Sequence, residues 1–67
     1  MANIQVRNQL FTLYQIESFI TDKVKDEVKE YRLNKNCYPD LWASDSDMSE
    51  NEQIAFIYLC TNSRPVS

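Results

Sequence analysis

Apolar residues recur at spacings of three and four through Leu10, Leu13, Ile16 (or Glu17), Ile20, Val24, Val28 and Tyr31, in a stretch free of proline and glycine. That period marks one face of an α-helix, because residues three and four apart stack above one another. The pattern predicts a long first helix over about residues 9–32, with Asn8 placed to cap its first free amides. Phe11, Tyr14 and Phe19 widen the apolar face in the first half, whereas residues 21–30 carry only Val24 and Val28. The first half therefore reads as core and the second as a more exposed rod. A break at Thr21-Asp22, with Thr21 capping a separate helix, is the alternative. Nothing at positions 20–22 forces a stop, so one continuous helix is the expectation.

Asn34-Lys35-Asn36 interrupts the pattern, and Pro39 restricts Tyr38 to extended backbone, which ends the helix by about Leu33. Leu41 and Trp42 follow in a segment read as a linker pinned across the core, with Trp42 as its plug. A second helix is predicted over about residues 49–61, opened by a capping box of Ser49 with Glu52 or Asp47 with Glu50. Ile54, Ile57 and Tyr58 share one face, with Phe56, Leu59 and Cys60 on the next. A helix apolar around so much of its circumference must be covered on several sides. Residues 54–60 are also rich in strand formers, so a strand is the competing reading there. Residues 1–7, with alternating Ile4 and Val6, form a frayed arm or a minor strand, and 63–67 a loose tail. The expected class is an all-α, small helical domain spanning 1–67.

A chain of 67 residues is near the size at which one core barely offsets the entropy of ordering it, so a second copy or a partner protein is a natural expectation. Seven basic and ten acidic residues give a net charge of −3. Lys23, Lys25 and Lys29 are interleaved with Asp22, Asp26, Glu27 and Glu30, which leaves no uncompensated basic patch for a nucleic acid. The longest apolar run, seven residues at 54–60, is too short to cross a bilayer, so no membrane partner is expected. Cys37 and Cys60 have no zinc spacing, and the start Met1-Ala2-Asn3-Ile4-Gln5 has neither a basic region nor an apolar run. A reduced pair in a cytoplasmic protein is the expectation, with one disulfide as the alternative.

The residue types for catalysis are sparse. Histidine is absent, so a base near neutral pH would need a strongly shifted carboxylate, lysine or cysteine. Glu17 lies on or beside the apolar stripe, but a lone carboxylate makes no active site. Asp45-Ser46-Asp47 begins like a calcium loop, yet its sixth and twelfth positions are Glu50 and Phe56 where glycine and glutamate are required. The chain has no glycine, which removes the usual phosphate-cradling loops. No catalytic residue, metal or small-molecule cofactor is expected, and elimination leaves protein binding as the role.

Twelve per cent aromatic content is a generous load for so little interior, which implies that some rings meet another molecule. The candidate interaction surface is Phe11, Tyr14, Tyr31, Tyr38, Trp42 and Tyr58, with the acidic residues Asp22, Asp26, Glu27 and Glu30. At least half of the rings are expected to be core or core rim. Such a chain suits a regulator or inhibitor that occludes a basic surface of a partner, or a homodimer. A nucleic-acid accessory role is the weaker alternative.

Overall fold

The computed structural model describes residues 3–34 and 38–62. It is a mostly helical fold of four packed helices with one small hairpin, in the order β1 (Ile4–Val6), β2 (Gln9–Phe11), α1 (Leu13–Phe19), α2 (Asp22–Asn34), α3 (Pro39–Asp45) and α4 (Glu50–Asn62). The all-α class therefore holds for the body of the chain. Its first element is different.

Where helix was expected from residue 9, the chain makes a minor antiparallel hairpin with Ile4 opposite Phe11, Gln5 opposite Leu10 and Val6 opposite Gln9. Side chains alternate across a strand, so Ile4, Val6 and Phe11 turn inward while Leu10 shares the outer face with Gln5 and stays 62% exposed. Asn8 consequently lies in the tight turn and does not cap a helix. Arg7 takes φ 57°, the positive value that a two-residue hairpin turn demands. The guanidinium offsets the local cost: it lies 2.8 Å from the Asp40 carboxylate and donates to Gln53 Oε1 at 3.1 Å. One turn residue thereby ties the hairpin to α3 and α4.

Helix α1 starts at Thr12, whose hydroxyl accepts from the Gln15 amide while Gln15 Oε1 accepts from the Thr12 amide, a complete capping box. It ends at Ile20, which is extended at φ −77° and ψ 119°. The single helix expected over residues 9–32 is thus divided, at the alternative break Thr21-Asp22. Thr21 caps α2 by accepting from the Val24 amide at 3.3 Å, and its hydroxyl donates to the Glu52 carboxylate. The expected burial holds in part: Ile16 is fully buried, Phe19 packs against the core, and within residues 21–30 Val24 and Val28 are the buried positions, but Leu13 in α1 is 47% exposed. A straight helix has one line of approach to a neighbour; two short ones let Ile16, Val24 and Val28 all reach the same core.

The segment expected as a linker is helix α3. Tyr38 is extended at φ −72° and ψ 151°, as a residue before proline should be, and Pro39 opens the first turn, where its missing N–H costs nothing. Ala43 is buried and Trp42 half-buried, while Leu41 points outward.

Helix α4 is the centre of the fold and packs against α1, α2, α3 and β1. Its start is the expected capping box: Ser49 Oγ accepts from the Glu52 amide at 3.3 Å, and Glu52 Oε1 accepts from the Ser49 amide at 3.0 Å. Four successive residues, Ile54, Ala55, Phe56 and Ile57, are buried. Four consecutive helical positions cover most of the circumference at about 100° each, so cover on several sides is what keeps this segment helical against its strand propensity. Phe56 is fully buried, and its burial contributes about 3 kcal/mol of apolar transfer energy.

Candidate interaction face

Helix α2 is the element that both packs and presents. Val24 and Val28 face the core, Tyr31 lies at its rim, and Tyr31 stacks edge-on to Trp42 at 5.5 Å and to Phe56 at 5.8 Å. Edge-to-face contact suits the ring quadrupoles and joins α2, α3 and α4 through one aromatic cluster. Glu27 belongs to the same joint. Its Oε1 accepts from the Trp42 indole N–H at 2.9 Å and from Ser46 Oγ at 3.2 Å, while Oε2 lies 3.2 Å from Lys23 Nζ. The indole N–H is the chief reason that the Glu27 carboxyl is held below its ordinary pKa; partial burial opposes it, and Lys23 and Ser46 assist.

With that inner face fixed, the outward residues of α2 sort into two rows. Asp22, Asp26 and Glu30 recur every four residues and are exposed, forming an acidic row about 12 Å long at a rise of 1.5 Å per residue. Lys25, Lys29 and Arg32 lie on the adjacent edge, the one nearer Leu59 of α4. Between α2 and α4 on this edge runs a groove of about 550 Å³. Ile20, Val28, Leu33 and Leu59 make its apolar lining, and Lys25, Lys29 and Arg32 its basic lining. Leu33 is 76% exposed, and among the described residues Lys25 and Lys29 make no ion pair.

The residues expected at an interaction surface divide accordingly. Tyr31 and Trp42 are brought together, as part of the core rim, and Phe11 packs edge-on to Phe19 at 5.8 Å. Tyr58 is half-buried on α4. Tyr14 and Tyr38 are the exposed rings, at 82% and 77%, and sit at the openings of α1 and α3. Of the acidic set, Asp22, Asp26 and Glu30 face outward, whereas Glu27 is committed to Trp42. The groove adds Lys25, Lys29, Arg32 and Leu33, which the apolar spacing along the chain does not single out. Their spacing of four, three and one places them on one edge of a helix, but as interleaved charges they read as mutual compensation.

Cys60 is half-buried; burial raises its thiol pKa to about 11, with Arg32 opposing the shift. Cys37, and with it the question of a bridge, lies outside the described residues. Glu17 is exposed. Among the described residues no helix is long and apolar enough to cross a membrane, and no three His, Cys, Asp or Glu side chains gather where a metal ion could be held.

Compared with family models, with curated proteins and with solved structures, the chain shows no match.

Proposed function

We propose that this chain is a small protein-interaction module that acts by covering a surface of a partner protein, with the outward side of α2 as its recognition face. The observation that carries this reading is the apolar groove between α2 and α4, edged by Leu33 at 76% exposure and lined along α2 by Lys25, Lys29 and Arg32. A leucine held mostly in water beside a concave apolar lining is surface that a second molecule can cover with gain, at about 25 cal/mol for each Å² removed from water. The charges contribute orientation and encounter rate more than affinity. No chemical step is assigned to the chain in this role.

A photoreactive residue placed at Leu33, with exposed Asn51 as the control position, tests the reading in the cells that make the protein. A discrete adduct from position 33, absent from position 51 and identified by mass, is the expected result. Lack of any adduct, together with a monomer in sedimentation at hundreds of micromolar, would remove it.

A regulator or inhibitor that occludes a basic surface is the more specific form of this role, and the Asp22, Asp26 and Glu30 row is what favours it. Replacing the three by Asn, Asn and Gln should weaken partner binding and flatten its salt dependence. If neither changes, the acidic row serves solubility alone. A second copy as the occupant makes the chain a homodimer, which the same sedimentation run reads directly.

A further inference from the structure

We infer that the α2–α4 groove takes an acidic amphipathic helix from another protein, with apolar side chains on Ile20, Val28, Leu33 and Leu59 and carboxylates along Lys25, Lys29 and Arg32. This rests on the protein-binding role proposed above and names the chemistry of the occupant. A volume of about 550 Å³ falls within the range of ordinary ligand pockets, so size alone does not choose between a peptide and a small amphiphile.

The arrangement of charge does choose. The chain is acidic overall, with net charge −3, yet three of its seven basic residues line this one groove. Residues 25 and 32 are separated along α2 by about 10 Å. A single anionic headgroup meets such a row at one point only. A helix that repeats carboxylates at four- and three-residue intervals presents them over the same length, while its apolar stripe enters the groove beside them. Lys25 and Lys29 are exposed and, among the described residues, without an ion pair, so both can turn to a ligand without breaking a bond of the fold.

Backbone-amide NMR of the full chain tests this with two synthetic helical peptides. Both carry leucines at i, i+3, i+4 and i+7; one has Glu at the flanking positions and the other Lys. The acidic peptide should shift the amides of Ile20, Val28, Leu33 and Leu59 saturably and bind at least about tenfold more tightly than the basic one. The double variant Lys25→Glu, Lys29→Glu should reverse that preference while its circular dichroism stays unchanged. Equal affinity for both peptides, or preference for the basic one, overturns the acidic-helix assignment and leaves the protein-binding role standing. Shifts at these amides with oleate and neither peptide overturn the assignment and count against that role as well. The same shifts on concentrating the protein alone place a second copy in the groove, and no saturable shift with any probe removes the site altogether; either result overturns the assignment.

Discussion

The Glu52 carboxylate accepts from the Thr21 hydroxyl and from the Ser49 amide, so one side chain closes the capping box of α4 and holds the residue that caps α2. Thr21 uses both sides of its oxygen, donating to Glu52 and accepting from Val24. The Thr21–Glu52 bond ties the start of α2 to the start of α4 where the chain bends at residues 20–21.

Thr21→Val keeps the shape and removes both bonds. It should destabilise the fold by about 0.5–2 kcal/mol, the usual cost of a lost helix cap, measured by urea unfolding. Paired with Glu52→Ala in a double-mutant cycle, the effects should not add, since both changes remove the Thr21–Glu52 bond. The Glu52 carboxyl is held below its ordinary pKa first by Thr21 and then by the Ser49 amide. Its contribution is therefore present above the ordinary carboxylate pKa and lost as pH falls through the lowered folded value. Additive effects across the cycle would show that the two helix starts are independent.

Trp42→Phe retains a ring beside Tyr31 and deletes the indole N–H that Glu27 accepts. Because that bond lowers the folded pKa of Glu27, it stabilises the protein above the ordinary carboxylate value and ceases to do so as the group protonates. The variant should lose about 1–2 kcal/mol near neutrality and progressively less on acidification. A Tm difference between variant and parent that is constant from pH 7 to pH 3 would contradict this account.

Arg7 separates backbone strain from side-chain bonding. Arg7→Ala keeps the Cβ in its unfavourable φ 57° region and loses the links to Asp40 and Gln53, at about 1 kcal/mol for partly exposed bonds. Arg7→Gly loses the same links but relieves about 1 kcal/mol of strain. The expected order of urea midpoints is parent, then Gly, then Ala. Equal midpoints for the two variants would mean that the turn stores no strain.

Cys60, with its thiol raised to about 11 by burial, should react slowly with iodoacetamide at neutral pH. In a Cys37→Ser background, alkylation at pH 7.5 should be many times slower than that of free cysteine and accelerate sharply in urea. A rate near that of the free amino acid would place the thiol in solvent.

Much of the architecture was legible along the chain. The Ser49 and Glu52 spacing and the effect of Pro39 on Tyr38 each act within one turn of backbone, so sequence alone determined the start of α4 and the end of α2 before residue 38, whereas helix over strand at residues 54–60 was decided by the cover that the other elements place around α4. Leu10 and the bend at residues 20–21 were not legible in that way. The row from Leu10 to Tyr31 satisfies helical spacing throughout, and local period cannot register that Leu10 pairs with Gln5 or that Thr21 meets Glu52 thirty-one positions away. The lining of the α2–α4 groove was hidden for the same reason. Sequence supplied alternating charges on a helix, but whether Lys25 and Lys29 line an apolar groove depends on which side of α2 is buried. Only the packing of Val24 and Val28 against α4 decided that, because a helix has no inside or outside until a neighbour removes one face from water.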